Sequence, residues 1–324
     1  MRAALAEAAV RAPLLARLAL HNCMEHQMNS WQVGSVKVTR VEERICNTSS
    51  TPEQFLMGLR RDVLEQFLLR APHHYSREHD RLVVSMHSWL IRSGGKVILL
   101  EACCGNHKER PWSPHFHQLD TPYLANLAAA GVTPEDVDIV LCTHLHTDHV
   151  GWNTRLENGR WVPTFPNAKY LFSDLEDARW NPQRNAELTT NQAAVYEDSV
   201  LPVVRAGQAQ LLEDSVHALD GLLSIEPAPG HTPGHVVLKL VDDHAGALFC
   251  GDVLHHPVQV VRPDWVNGFD QNPQQAVETR MKVLAWCADE KALLFPTHFA
   301  APHVAAIHRE GDGFELEFAP ATLA

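Results

Sequence analysis

The strongest constraint on this chain is a run of four metal-binding side chains within six positions, His144-Leu145-His146-Thr147-Asp148-His149. The run directly follows the apolar segment 137–142, which is typical of a buried strand. Side chains two positions apart in an extended chain point the same way, so His144 and His146 can bind one ion together. Asp148 and His149 then enter a helix and can face a second ion. Imidazoles with a carboxylate suit zinc or another borderline divalent metal.

Three further polar residues occur in the same context, at the end of a short apolar strand. His231 lies in the tight turn Gly230-His231-Thr232-Pro233-Gly234-His235, where two glycines and a proline hold the backbone. Asp252 follows Gly251 at the end of segment 248–250, and His298 follows segment 293–295. Together with the first run they complete two coordination spheres.

On these residues the chain resembles the metallo-β-lactamase superfamily, over about residues 33–318. The resemblance implies an α/β fold, an αββα sandwich of two mixed β-sheets flanked by helices, with metals at one edge between the sheets. It also implies two Zn²⁺ ions, or other divalent metals, per chain. The first would be held by His144, His146 and His231, the second by Asp148, His149 and His298, with Asp252 bridging both. The order and spacing most resemble the quorum-lactonase and methyl parathion hydrolase branch.

Two positions depart from that branch. Quorum lactonases place a tyrosine three positions after the bridging aspartate, whereas this chain has His255. The strand after the first hairpin usually ends in Asp-Thr, and here it ends in Glu101-Ala102. The longer Glu101 changes the contact that orients a ligand imidazole. Both departures bear on the substrate rather than on metal binding.

The resemblance implies a dinuclear zinc-dependent hydrolase. Two cations about 3.5–4 Å apart lower the pKa of a bridging water toward ~7 and so provide hydroxide at neutral pH. Asp148 or Asp252 can accept the released proton, and His255 is a third catalytic candidate. Aromatic residues near the metal edge favour a small, hydrophobic, uncharged ester or lactone as the substrate. The predicted substrate-binding residues are Trp112, Phe116, His117, Trp152, Asn153, Trp180 and Tyr196.

Other activities use the same residues. Hydrolysis of an organophosphate triester, or hydrolytic dehalogenation of a haloaromatic, fits the same hydroxide chemistry. A persulfide dioxygenase of this fold would use a single iron, and a second complete ligand set argues against it. A nuclease is disfavoured by the net charge of −12, because binding phosphates needs a basic face. A non-catalytic member of the family would be expected to have lost ligands.

Composition favours a soluble enzyme without a nucleic-acid or membrane partner. No apolar run approaches the ~18 residues that span a bilayer. The seven cysteines lack any Cys-x-x-Cys spacing, which favours a reducing, cytoplasmic location. Residues 1–32 are predicted to form an N-terminal helical arm that packs on the domain or on a second subunit, as in a homodimer. Residues 33–324 are predicted to form a single catalytic domain.

Hydrophobic periodicity predicts alternating strands and helices. The predicted strands are 33–41, 82–91, 96–103, 137–142, 168–173, 223–226, 236–241, 247–250 and 292–295. The predicted helices are 52–69, 121–130 and 274–287, with a helical insertion over 175–206 interrupted near Pro182.

Overall fold

The computed structural model describes residues 29–243 and 245–323. Most of the predicted N-terminal arm, residues 1–28, lies outside the described residues. Residues 29–32, which the sequence assigned to the arm, instead form most of the first strand, so the boundary predicted at residue 32 is too late. None of the described helices is long and apolar enough to cross a membrane.

The strands are numbered along the chain. They are β1 (Asn29–Val33), β2 (Val36–Asn47), β3 (Leu56–Met57), β4 (Tyr75–Ser76), β5 (Arg81–Ser93), β6 (Lys96–Leu100), β7 (Ile139–Leu141), β8 (Thr154–Glu157), β9 (Arg160–Pro163), β10 (Lys169–Ser173), β11 (Ala209–Leu212), β12 (His217–Ala218), β13 (Leu223–Pro227), β14 (Val236–Asp242), β15 (Ala245–Gly251), β16 (Val266–Asn267), β17 (Leu293–Pro296), β18 (Ala305–Glu310), β19 (Gly313–Phe318) and β20 (Thr322–Leu323).

The helices are numbered in the same way. They are α1 (Pro52–Phe55), α2 (Arg61–Leu68), α3 (Tyr123–Ala129), α4 (Thr147–Val150), α5 (Asp174–Trp180), α6 (Thr190–Ser199), α7 (Leu201–Arg205), α8 (Val258–Val261) and α9 (Pro273–Asp289).

Two large mixed sheets dominate the described part of the chain. The first has the strand order β11-β10-β7-β6-β5-β2-β1-β20, with β4 attached to β5. The second has the order β12-β13-β14-β15-β17-β18-β19. Strand β7 runs parallel to β6 and β10, and β15 runs parallel to β17.

Residue alternation along the strands explains the layers. Trp89 of β5 faces the space between the sheets, where its ring lies 5.0 Å from that of Phe295 in β17. Its neighbour Leu90 faces the opposite side and packs with Tyr123 of α3. Successive side chains of a strand point to opposite faces, so each sheet buries one face against the other sheet and one face against helices. Helix α9 covers the outer face of the second sheet in the same way. The αββα sandwich expected from the sequence is confirmed.

Strand direction determines where the predicted ligands meet. The chain leaves β7 just before His144, β15 just before Asp252 and β17 just before His298. His231 follows β13, which is antiparallel to β14 and therefore runs in the same direction as β15. These carboxyl ends gather at one edge of the sandwich.

Two local predictions were wrong for backbone reasons. The predicted strand 33–41 is a hairpin, because Gly34 adopts a φ of +57° and turns the chain between β1 and β2. The predicted helix 52–69 is broken into α1, β3 and α2, because Gly58 has a φ of +91°, and a β-carbon there would lie 3.3 Å from the ring of Trp265. The insertion 175–206 is helical as predicted, in three pieces. The hairpin β18–β19 was not predicted.

Candidate metal centre

The structure brings all seven predicted metal ligands together in two groups. In each group the ligand atoms lie within 4.8 Å of one another. The first group comprises His144, His146, His231 and Asp252, and the second comprises Asp148, His149 and His298. The seven residues come from four separate chain segments, which the two sheets join at one edge.

In the first group, three ring nitrogens converge. Nδ1 of His146 lies 3.0 Å from Nε2 of His144 and 3.0 Å from Nε2 of His231. Oδ2 of Asp252 completes the group at 3.4 Å from Nε2 of His231. Ligands on a tetrahedral zinc with bonds of about 2.0–2.1 Å would lie about 3.3 Å apart. The spacing of this group therefore suits a small divalent cation.

The second group is more open. Nε2 of His149 and Nε2 of His298 each lie 3.8 Å from an oxygen of Asp148. The same two nitrogens lie 3.2 and 3.0 Å from Oδ1 of Asp252. Asp252 thus presents Oδ2 to the first group and Oδ1 to the second, which is the arrangement of a bridging carboxylate.

Gly251 makes that position of Asp252 possible. Its φ is +49°, and a β-carbon there would lie 2.6 Å from Oγ1 of Thr143 and 2.7 Å from Nε2 of His235. Any other residue would push the strand end away from Thr143 and from the ligand histidines that follow it. The backbone N–H of Asp252 donates to Nε2 of His235 over 3.1 Å, which holds the strand end in place.

Hydrogen bonds behind the ring nitrogens set the histidine tautomers. Nδ1 of His231 donates to Oδ1 of Asp270 over 2.8 Å, and Nδ1 of His298 donates to the carbonyl of Ser85 over 3.2 Å. Nδ1 of His149 lies 3.1 Å from Oε2 of Glu101. A nitrogen that carries a proton on one side of the ring leaves a lone pair on the other, so Nε2 of each ring is free to bind a cation.

Burial and mutual charge define the electrostatics. Burial, and then the neighbouring histidines, hold the pKa of His144 and His146 well below the usual value, which keeps both rings in the neutral, metal-binding form. Burial alone would raise the pKa of Asp252, but the positive charge that His149 and His298 carry when they are protonated outweighs burial and holds that pKa well below its usual range. The bridging carboxylate is therefore ionised.

The donor set fits divalent metal ions. Although both atoms are buried, Nε2 of His149 and Oδ1 of Asp252 make no aligned hydrogen bond with any residue in the described ranges. Buried polar atoms without partners are costly, and a cation between them would satisfy both. Imidazole nitrogens and carboxylates without a thiolate suit zinc or a similar metal.

Two buried acids that support the centre were not found in the sequence. Glu176 of α5 accepts from the backbone N–H of Leu145 over 3.0 Å and of Gly234 over 2.9 Å, so it ties the two histidine loops together. Asp270 holds His231, as described above. Glu176 stands in the first turn of a helix, where acids are usually exposed, and Asp270 lies in an irregular loop. Neither position carries a signal in a single sequence.

A cavity of about 490 Å³ opens onto the centre. Of the predicted substrate-binding residues, Trp112, Phe116, Trp180 and Tyr196 line it. No lysine or arginine of the described residues lines it, and its carboxylates are those of Asp148 and Asp252. Its remaining apolar lining residues include Phe55, Val84, Met86, Leu145, Val195 and Phe269.

Three predicted substrate-binding residues do not line the cavity. Trp152 is buried behind the centre, where it stacks on Tyr123 at 5.2 Å and donates to Glu43 over 2.7 Å. Asn153 is fully buried beside Cys142. Nδ1 of His117 accepts from the backbone of Arg110. The chain turns back after the short helix α4, with Trp152 N–H bonded to the carbonyl of Ala102, so neighbours of His149 in sequence point into the core.

His255 lies where the cavity meets the centre. Its Nε2 is 3.1 Å from Oδ2 of Asp252, and its ring stacks on that of His298 with centroids 5.8 Å apart. The side chain is buried, and its backbone N–H donates to Gln259 over 2.8 Å. The position that carries tyrosine in quorum lactonases therefore holds an imidazole in contact with the bridging carboxylate.

Curated proteins with similar sequences match only part of this chain. A hydroxyacylglutathione hydrolase of Synechococcus sp. is 32% identical over 139 residues, which are 41% of this chain and 41% of that protein. The uncharacterized protein YobT of Bacillus subtilis is 28% identical over 137 residues, 40% of this chain and 52% of that protein. The chain spans about half the length of the curated relatives it matches.

Solved structures share the whole fold. The hydrolase AbOPH, of the beta lactamase superfamily, superposes with a TM-score of 0.75 at 23% identity, covering 92% of this chain and 98% of that one. The dizinc quorum-quenching lactonase AidC superposes with a TM-score of 0.73 at 19% identity and the same coverage. At these identities the likeness concerns the fold alone.

The family assignment comes from the sequence profile. Residues 83–298 match the profile of the metallo-beta-lactamase superfamily, and this range contains all seven residues of the two groups. The range makes up more than half of the chain. This protein therefore belongs to the metallo-beta-lactamase superfamily.

Proposed function

We propose that this protein is a metal-dependent hydrolase that cleaves a small, uncharged ester or lactone with an apolar substituent. Seven side chains would hold two divalent cations, zinc being the first choice. The observation that carries the proposal is the cavity: it opens onto both ligand groups and is lined mainly by apolar and aromatic residues. Such a lining favours an apolar substrate with few polar contacts.

The substrate class follows from the charges of the cavity. A glutathione thioester carries two carboxylates, which need cationic partners when they are bound. The described cavity lining provides no lysine or arginine for them, and its own acids are negative. The relative from Synechococcus sp. is called a hydroxyacylglutathione hydrolase, but this cavity favours a neutral substrate instead. The structure of AidC, by contrast, contains the product N-hexnoyl-L-homoserine.

The roles of the side chains follow from their positions. When bound, the cations would polarise the substrate oxygen and lower the pKa of water toward about 7. Two ligand carboxylates border the cavity, and Asp148 is the more exposed of them, with 17% of its side-chain surface accessible. Asp148 can therefore accept a proton from the reacting water. His255, which lines the cavity beside Asp252, can donate a hydrogen bond to the substrate.

Two groups of ligands also favour two cations over one. A mononuclear iron dioxygenase would need only one group of three ligands. Here Asp148, His149 and His298 also converge, with their ligand atoms within 4.8 Å of one another. Hydrolysis of a neutral phosphotriester or of a haloaromatic would use the same centre and the same uncharged cavity, and the activity screen includes both.

The test combines metal analysis with a substrate panel. Zinc-loaded protein is assayed with an N-acyl lactone, an aryl ester, a phosphotriester, a chloroaromatic and a glutathione thioester. Elemental analysis of the protein as purified gives the identity of the metal and the number of metals per chain. We expect about two metals per chain and the highest kcat/KM on the lactone or the aryl ester. The variant Asp252→Ala serves as the inactive control. Preferred turnover of the thioester, or one iron per chain, would contradict the proposal.

A further inference from the structure

A buried ion pair lies directly behind the turn at Thr147, which connects His146 to Asp148 and is called the ligand turn below. Both terminal nitrogens of Arg110 donate to the two oxygens of Asp198, each over 2.7 Å. The guanidinium is buried and adopts the forked geometry that fixes both partners in direction as well as distance. None of the assigned metal ligands takes part in this pair.

The same guanidinium reaches the metal-binding motif. Nε of Arg110 donates to Oγ1 of Thr147 over 3.0 Å. Thr147 stands between His146 and Asp148 and is the first residue of the four-residue helix α4. Arg110 therefore holds the backbone turn that carries Asp148 into the second ligand group.

Asp198 connects this turn to the wall of the cavity. It lies near the end of α6, whose residues Gln192, Val195 and Tyr196 line the cavity. Two hydrogen bonds join Asp198 to Arg110, and a third joins Arg110 to Thr147. These three contacts connect one face of the substrate cavity to the ligand turn.

Stability does not explain this arrangement well. Lys108 is buried as well, and its Nζ donates to Oγ1 of Thr154 over 2.6 Å and to the carbonyl of Asp198 over 3.0 Å. Burying two basic side chains around one carboxylate costs desolvation energy that apolar side chains of similar volume would not incur. A role in positioning neighbouring residues, which requires fixed geometry, explains the arrangement better than a contribution to stability does.

Asp148 lacks the side-chain support that several other ligands have. His149 is backed by Glu101, His298 by Ser85 and His231 by Asp270. The Asp148 side chain, by contrast, makes no hydrogen bond with any residue of the described ranges. Its position is therefore set by the backbone of the turn that follows Thr147.

We propose that Arg110, oriented by Asp198, is a positioning residue that fixes the turn at Thr147 and thereby places Asp148 for binding of the second cation. The inference rests on the proposed function, since it requires two metal sites. It means that binding at the second group depends on this contact, whereas binding at the first group does not.

The test removes a single hydroxyl. Thr147→Val keeps the shape of the side chain and deletes only the oxygen that accepts from Arg110. Thr154→Val is the matched control, because it makes the same change on the opposite side of Asp198, away from the ligand turn. Stepwise zinc affinities are measured by competition with a chromophoric chelator, and kcat and KM are measured on the best ester.

We expect Thr147→Val to weaken the second zinc affinity by about 10-fold or more and to leave the first unchanged, in the range known for residues that support metal ligands. Thr154→Val should retain both affinities. Arg110→Lys should weaken the second affinity less than Arg110→Met, because lysine retains a cationic hydrogen-bonding group. At saturating zinc, Thr147→Val should recover most of its kcat.

Equal losses at both sites, equal losses in the two threonine variants, or unchanged affinities in Thr147→Val would overturn the inference. Failure of the proposed function looks different: the wild-type protein would then bind fewer than two zinc ions or hydrolyse no neutral ester. If the Arg110 variants do not fold, the threonine pair still decides the question.

Discussion

Nδ1 of His231 donates to Oδ1 of Asp270 over 2.8 Å, although the two residues lie 39 positions apart in the chain. Asp270 is itself fixed, because its second oxygen accepts from the backbone N–H of Asn267 over 3.0 Å. The bond directs Nε2 of His231 toward the first ligand group, 3.0 Å from Nδ1 of His146. A carboxylate behind a ligand imidazole also makes that ring a better donor to the metal.

Replacement of this carboxylate should weaken the first metal site. We expect Asp270→Asn to lower the zinc affinity of the first group by about 10- to 100-fold, because the neutral amide supports the ring less strongly. Zinc competition titrations measure the change. Asp220→Asn is the control, since Asp220 is a similarly hydrogen-bonded carboxylate remote from the centre. Unchanged affinity in Asp270→Asn would remove the role assigned to Asp270.

The bridging geometry predicts different metal contents for two aspartate variants. Asp252 faces both groups, so Asp252→Ala should lose most of both metals and nearly all turnover. Asp148 faces only the second group, so Asp148→Ala should retain about one metal per chain. Elemental analysis after dialysis distinguishes the two. The bridge would be disproved if Asp252→Ala kept the same single metal as Asp148→Ala.

The ligands could be predicted from the sequence because each one has a local signature. His144, Asp252 and His298 all follow a short apolar strand, and strand direction alone brings such ends to one edge of a sandwich. His231 lies in a turn that glycines and a proline mark. Resemblance to a family then assigned the ligands to two metals.

The supporting residues could not be predicted, because their partners are distant in the chain. Asp270 meets His231 across 39 positions, and Asp198 meets Arg110 across 88. The errors have a related cause. Trp152 was placed in the cavity because it is close to His149 in sequence, whereas the turn after α4 sends it into the core.

Two exposed aromatic residues at the cavity should determine chain-length preference. Phe269 is 60% exposed and Trp112 is 40% exposed, yet both line the cavity. Large exposed aromatics of this kind often mark a binding surface. An apolar chain on the substrate would cover them, at about 25 cal/mol for each Å² of apolar surface buried.

We therefore expect Phe269→Ala and Trp112→Ala to lower kcat/KM for an octanoyl ester by about 5- to 10-fold more than for an acetyl ester, since roughly 1 kcal/mol of contact is lost. Leu69→Ala, at an exposed leucine outside the cavity lining, is the control. A series of aryl esters of increasing acyl length provides the measurement. Equal losses across the series would show that the aromatics do not contact the acyl chain.

His255 should affect the reaction more than metal binding. Its Nε2 lies 3.1 Å from Asp252, but each ligand group is complete without it. We expect His255→Phe to keep both metals and to lower kcat by about 100-fold, in the range of a lost hydrogen-bond donor to the reacting oxygen. Metal analysis and steady-state kinetics are run on the same samples. Loss of a metal from His255→Phe would make His255 a ligand instead.

Acid stability should depend on His303, a buried histidine outside the centre. Its Nδ1 donates to the carbonyl of Phe299 over 2.8 Å, and burial, together with the charge of Arg40, lowers the pKa of His303 to about 3. In the unfolded chain its pKa is about 6.5. Between these values the unfolded state binds more protons than the folded state does. The free energy of unfolding therefore falls as the pH drops below about 6.5, by about 1.4 kcal/mol per pH unit from this residue.

His303→Asn should remove that dependence. Asparagine tolerates the φ of +74° at this position and can still donate a hydrogen bond. Between pH 7 and pH 5, we expect the free energy of unfolding to fall by about 2 kcal/mol less in the variant than in the wild-type protein. About 1.5 units of this pH range lie below the pKa of histidine in the unfolded chain. Urea denaturation at a series of pH values measures this, with both proteins in the same metal state. His308→Asn, at an exposed histidine, is the control. If stability depends on pH in the same way in the wild-type protein and in His303→Asn, the imidazole of His303 does not have a lowered pKa in the folded state.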